Sequence, residues 1–259
     1  MRAFLAPWDI FEREAGTYDD WYATPRGRRA HMAECALLEW LLGHFPGAGS
    51  VVEVGCGTGH FTGWLGQRGL TVVGLDRAPQ MLRQMRRRAP GIPCVLGEAR
   101  RLPFRDGAID LVALITTLEF LDERDVSLRE AVRVAYRGLM LVVLNRWSVG
   151  ALCRRCRLRA GRGALLGRAR DYSLSSLREG IAGAAGARLR EVRWTSALFL
   201  GLPPRTRARV PLGDVVGVAV LLKAPRHHRR SHRAAPAGGG FSARAVTPSL
   251  TQSWKGERA

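Results

Sequence analysis

Val51-Val52-Glu53-Val54-Gly55-Cys56-Gly57-Thr58-Gly59-His60-Phe61 is the stretch that decides how the rest of the chain is read. The β-branched Val51, Val52 and Val54 lead into alternating glycines, and Phe61, Trp64 and Leu65 follow at helical spacing. The pattern is therefore strand, turn, helix. Glycines let the turn bend sharply and let a ligand lie against bare backbone, while the start of the next helix offers unpaired N–H groups to a carboxylate or phosphate. A nucleotide-like ligand is the first expectation.

The glycine spacing narrows the ligand. A dinucleotide fingerprint needs G-x-G-x-x-G, but here Gly59 comes one place early and His60 stands where the third glycine belongs. The next apolar run, Leu70 to Leu75, ends in Asp76. An acid at the carboxyl end of a strand can accept two hydrogen bonds from ribose hydroxyls, whatever the rest of the ligand. It can equally cap a helix starting near Pro79. A third strand, Pro93 to Leu96, carries Glu98 to the same sheet edge, and a fourth begins at Ile109.

Taken with Glu98-Ala99 and Thr116-Thr117-Leu118-Glu119-Phe120-Leu121, these motifs make residues from about 50 to 145 resemble the small-molecule class I S-adenosylmethionine-dependent methyltransferases. The ubiquinone/menaquinone group is the most similar. The resemblance implies an α/β, Rossmann-like fold: a seven-stranded, mostly parallel sheet with helices on both faces, five parallel strands being followed by an antiparallel pair. It also implies S-adenosyl-L-methionine as cofactor, held by Glu53, Gly55, Cys56, Gly57, Gly59, Asp76, Arg77, Glu98, Ala99 and Thr116. In the family the acid-Ala pair meets the adenine, through the carboxylate on the exocyclic amine and the next N–H on a ring nitrogen. Most relatives have Asp where this chain has Glu98, and histidine where it has Phe120.

The segment Tyr18-Asp19-Asp20-Trp21-Tyr22-Ala23-Thr24-Pro25-Arg26-Gly27 is similar to the Y-D-x-W-x-x-T-P-x-G run of relatives whose N-terminal segment folds over the cofactor. Tyr18 and Trp21 become candidates for the pocket wall, against the simpler role of pinning the N-terminus. Glu119, Phe120, Asn145 and Trp147 complete the candidate acceptor pocket. Residues 145 to 170 hold eight arginines and no acid, interrupted by Trp147, Val149, Leu152, Leu158, Leu165 and Leu166. Such a cover suits an anionic or amphipathic acceptor, or a membrane surface in which one dissolves; an ordinary solvated helix-loop would read the same way.

Three regions are expected: an N-terminal helical lid or packing segment (1–48), a cofactor-binding methyltransferase domain (49–224) and a basic disordered tail (225–259). The tail has His227, His228 and His232 among arginines and no apolar periodicity. At 259 residues one α/β core is enough. The formal charge of +19 raises nucleic acid or an anionic membrane as partners, but Lys223 and Lys255 are the only lysines among 41 basic residues, and such an arginine excess also arises from codon composition. Five scattered cysteines do not resemble a secreted disulfide scaffold, and Cys153-x-x-Cys156 lacks the second pair that a zinc site needs. No apolar run approaches the ~20 residues of a membrane-spanning helix, and Met1 to Ala6 is too short for a signal peptide. A cytoplasmic protein without a metal is expected.

The implied reaction is in-line transfer of a sulfonium methyl to O, N, C or S of a small-molecule acceptor. Positioning and desolvation carry much of such a reaction, so a strong base is not obligatory and no catalytic residue is assigned; Tyr18, His31, His60, Glu119 and Tyr172 are the candidates. Two rivals stand. An RNA or protein methyltransferase draws support from the charge, but lacks an Asn/Asp-Pro-Pro-aromatic run after the fourth strand and a separate RNA-binding module. A non-catalytic cofactor-binding regulator is motivated by the departures at Glu98 and Phe120.

Overall fold

The short apolar runs of the sequence form strands in the computed structural model, which describes residues 9–153, 169–200 and 202–225. Strands β1 (Ser50–Val54), β2 (Thr71–Asp76), β3 (Cys94–Leu96), β4 (Ile109–Ile115) and β5 (Ala135–Leu144) are parallel. Strands β6 (Leu189–Ala197), β7 (Arg207–Ala208) and β8 (Val215–Leu222) complete a sheet in the order β3-β2-β1-β4-β5-β8-β6-β7. Strand β8 inserts antiparallel between β5 and β6, with Leu144 opposite Val215 and Gly138 opposite Leu221.

Among the described residues the sheet therefore has eight strands rather than the expected seven. The extra one is β7, whose Arg207 and Ala208 pair with Ala197 and Ser196 at the end of β6. Its two residues lie just beyond Pro203-Pro204 in a stretch that reads as loop, because so short a strand shows no alternation to detect.

Helices α1 (Asp9–Glu14), α2 (Asp20–Ala23), α3 (Pro25–Leu42), α4 (His60–Gly66), α5 (Pro79–Arg88), α6 (Arg124–Val134) and α7 (Leu174–Ala185) surround the sheet. Successive residues of β1 face opposite sides, so Val51 belongs to the core that contains Leu37, Leu41 and Leu65, whereas Val52 belongs to the one that contains Leu128, Leu177 and Ile181. Helix α3 starts at Pro25, earlier than its apolar stripe suggests, because the Thr24 side chain accepts from Gly27 N at 3.0 Å and Pro25 supplies a preset first turn. Ser173 caps α7 in the same manner, accepting from Ser176 N. Among the described residues no helix is long and apolar enough to cross a membrane.

Strand order reverses at β1, which lies between β2 and β4. Crossovers leave in opposite directions there, opening a crevice at the carboxyl ends of β1 and β4. The glycine loop follows β1 directly and so lies in that crevice.

Candidate functional site

The loop is folded by its own backbone and by Asp76. Gly55 N and Cys56 N both donate to Leu75 O, and Gly57 N donates to Asp76 Oδ2 at 2.8 Å. Asp76 Oδ1 accepts from Ala78 N at 2.9 Å, which orients the carboxylate at the end of β2. Burial pushes the Asp76 carboxyl upward, and these backbone bonds oppose the shift. Gly55 sits at φ +73°, where an added Cβ would come within 2.3 Å of Thr117 Cγ2, so only glycine fits.

A cavity of about 320 Å³ lies above this loop and spans the crevice. Along one wall run Glu53 to Thr58, then Asp76 and Arg77, then Gly97 to Arg100; the other wall is formed by Ile115 to Thr117 and Phe120. All ten expected cofactor residues except Gly59 line it; Gly59 (φ +79°) turns the chain into α4 instead. Thr116 holds a positive φ of 47°, uncommon for a non-glycine residue, with its N–H bonded to Val142 O. Cys56 is buried with Sγ 3.5 Å from Met85 Sδ, and burial pushes its thiol up, away from the reactive thiolate.

Two carboxylates have distinct settings. Glu53 is 2% exposed, accepts from Thr62 Oγ1, and is pushed up to about 8, chiefly by burial. Glu98 lies at the opposite end of the cavity, paired with Arg100 and, at 3.6 Å, with Arg77. Its carboxylate is thus already engaged by cations at the position where the resemblance puts an adenine amine.

Residues 9–24 contribute Phe11, Tyr18 and Tyr22 to the cavity lining. Phe11 meets Phe120 edge-on with ring centroids 4.8 Å apart, and Tyr18 packs with Phe11, Ala78 and Met81. Glu12 accepts from Gln80 N at the start of α5. Tyr22 stacks on His60 at 3.9 Å and 8°. Arg88 donates to His60 Nδ1 at 2.8 Å, which leaves the ring proton on Nε2, facing His31 Nδ1 at 2.8 Å. Burial first, then His31 and Arg88, lower His60 to about 4.

Of the six candidate acceptor residues, Tyr18 and Phe120 line the cavity. Trp21 is 42% exposed and turns its edge to Tyr22. Glu119 is buried and brackets the sheet, accepting from Leu144 N. Asn145 donates to Pro211 O and Gly213 O, holding two loops together, and Trp147 is 62% exposed. Phe11 and Tyr22, which the sequence does not single out as site residues, also line the cavity. Glu34, another residue not singled out, is buried on α3 and pushed up to about 8 by burial and by Glu119. Its signal was available: an acid beside Ala33 and Leu37 on the buried stripe. Cys156, Leu158, Leu165, Leu166 and the tail histidines lie outside the described residues.

The cavity fits the cofactor. A Cβ on Gly57 would meet nothing nearer than Met81 Sδ at 4.0 Å, so this glycine presents bare backbone to the cavity. An oriented acid at the end of β2 and a buried acid beneath the loop flank it, as a ribose and a cationic amine require. Known proteins agree. A family profile described as "Methyltransferase domain" matches residues 52–143. Malonyl-[acyl-carrier protein] O-methyltransferase of Serratia marcescens is 32% identical over 145 residues, 55% of this chain and 52% of that protein. Demethylmenaquinone methyltransferase of Renibacterium salmoninarum is 37% identical over 102 residues, 39% of this chain and 43% of that protein. The chain thus spans about half or less of the length of these curated relatives. Among solved structures, a methyltransferase from Thermotoga maritima described as a possible histamine N-methyltransferase superposes with a TM-score of 0.70 at 25% identity, covering 83% of this chain and 100% of that one. Loop, strand order and matched profile together identify a class I S-adenosylmethionine-dependent methyltransferase domain within this chain, centred on residues 52–143.

Proposed function

We propose that the protein transfers a methyl group from S-adenosylmethionine to a small anionic or amphipathic acceptor. The observation that carries this reading is the covered cavity: at about 320 Å³, under Phe11, Tyr18 and Tyr22, it is of small-molecule size. The cofactor, when bound, supplies a methyl on a positively charged sulfur that is open to in-line attack. Asp76 and the bare backbone of Gly57 hold the nucleoside part, and Glu53 holds the amine. The aromatic cover excludes water, and holding two reactants near attack geometry is worth roughly 7 to 11 kcal/mol.

The acceptor brings its own nucleophile. His60 has both ring nitrogens committed, to Arg88 and His31. Burial pushes the Tyr18 and Tyr22 phenols far upward, so neither is a phenolate at neutral pH. With these groups unsuited to take a proton, a carboxylate or another anion that is already ionised is the acceptor the site serves best. The name of the Serratia relative, malonyl-[acyl-carrier protein] O-methyltransferase, supports a carboxylate. We place the catalytic unit at residues 49–224, the cover within 1–48 and a basic tail at 225–259, in a cytoplasmic protein.

Calorimetric titration with S-adenosylmethionine, followed by transfer of labelled methyl to a panel of carboxylates, thiols, phenols and amines, tests the reading. Binding with turnover on an anionic acceptor supports it. Binding without turnover on any acceptor would identify a regulator, and failure of the folded protein to bind would remove the cofactor site itself.

A further inference from the structure

Strand β8 begins where β5 and β6 end, since Val215 pairs with both Leu144 and Ala197. The residues after β5 and the loop before β8 therefore emerge on the sheet edge that carries Thr116, Thr117 and the cofactor cavity. They are stitched together there: Asn145 Nδ2 donates to Pro211 O and Gly213 O, and Gly150 N donates to Asp214 Oδ1 at 2.8 Å.

The surface built by these two segments is apolar at its tips. Trp147 is 62% exposed, Leu152 59%, Leu200 81% and Leu212 60%. An exposed leucine alone needs no explanation, but a group of them on joined segments marks an interaction surface. Arg146, Arg205, Arg207 and Arg209 are exposed around them, and neither residues 145–153 nor 198–213 contain an acid. Asp214, the acid next in sequence, is turned to the Gly150 N–H.

We infer that this edge docks on an anionic lipid bilayer, with Trp147, Leu200 and Leu212 entering the headgroup boundary and the four arginines meeting lipid phosphates. Tryptophan, leucine and arginine without acids form the composition that such a boundary selects: apolar bodies immerse while guanidinium groups stay at headgroup level. Leucines standing at loop tips suit immersion better than they suit the flat surface of an acidic protein. Docking turns the cavity edge toward the lipid and gives an amphipathic acceptor a short path from bilayer to cofactor. It goes beyond the catalytic reading and is tested separately from it.

The test is flotation of the full chain with vesicles of phosphatidylcholine alone or of phosphatidylcholine with phosphatidylglycerol. Flotation only with the anionic vesicles is expected, with a blue shift of tryptophan emission that Trp147→Phe diminishes. The double variant L200S/L212S keeps the net charge and should weaken vesicle binding about ten-fold or more, while cofactor titration and thermal melting stay unchanged. R205E/R209E should weaken it as well. Flotation of L200S/L212S equal to wild type would assign binding to unspecific charge, that of residues 225–259 included, and overturn the proposal. Equal binding to neutral vesicles, no flotation, or a wild-type dimer that L200S/L212S splits into monomers would overturn it too, the last by showing that a second copy covers the surface.

Discussion

Asp19, in the N-terminal segment that helps line the cavity, accepts a hydrogen bond from Thr58 in the glycine loop at 2.8 Å. Its other carboxylate oxygen receives Arg88 at 2.6 Å, and Arg88 also holds His60. Cover, loop and α5 are thus joined through one carboxylate, and the joint contains two histidines that burial keeps neutral.

This arrangement predicts a pH-dependent cover. His60 is lowered to about 4 when the cover is closed, and opening returns it toward the ordinary ~6.5. The open form then binds more protons, so closure is fully favoured above ~6.5 and is lost as pH falls toward 4. Proteolytic cleavage within residues 9–24 should accelerate over that interval. His60→Gln should flatten the profile, and an unchanged wild-type cleavage rate across it would contradict the mechanism.

Asp76→Ala should weaken S-adenosylmethionine at least ten-fold, about 1.4 kcal/mol. Two losses coincide in this variant: a ribose acceptor disappears, and Gly57 N loses the partner that shapes the loop. Asp76→Asn should also bind poorly, because an amide presents only one accepting oxygen where two backbone N–H groups converge. Calorimetry on folded variants gives the comparison.

Gly55→Ala should destabilise the protein by about 1–3 kcal/mol, combining positive-φ strain with the collision against Thr117. Adding Thr117→Ala should recover the collision but not the strain. Full recovery in denaturant unfolding would show that φ costs nothing here.

Glu34→Gln should raise stability most at alkaline pH. Because Glu34 is raised to about 8 in the fold and titrates near 4.5 when unfolded, the folded state holds the extra proton between those values. Stability therefore falls with rising pH across that window, and stays low above it. The glutamine variant should lose part of this slope in thermal melts. Glu53 supplies a second slope of the same sign, so the variant's profile should not become flat.

The glycine loop, Asp76 and the parallel strands were legible because each is encoded in a dozen neighbouring residues: β-branched runs, glycine spacing, an acid at a strand end. Of the cavity walls contributed from afar, Tyr18 is marked in the sequence by the Y-D-x-W-x-x-T-P-x-G run, whereas Phe11 and Tyr22 are not marked. Phe11 and Tyr22 differ in no local way from Trp21, yet the first two line the cavity and Trp21 is left at 42% exposure. Asn145 looked like a pocket residue because it follows β5, but its amide closes on Pro211 and Gly213, some 66 and 68 positions away. Glu98 lies on the cavity wall, and its pairing with Arg77 and Arg100 depends on how three loops meet.

The place of β8 between β5 and β6 also orders the events of biosynthesis. When β5 leaves the ribosome its outer edge, Gly138 to Leu144, has no neighbour, and the partner strand is synthesised only after some 70 further residues. Until then a long apolar edge is open to other chains, a recognised route to aggregation. Closure of the sheet is consequently a late, C-terminal step: a chain stopped before Val215 should accumulate as insoluble protein, whereas one stopped after Pro225 has every strand that the described residues form.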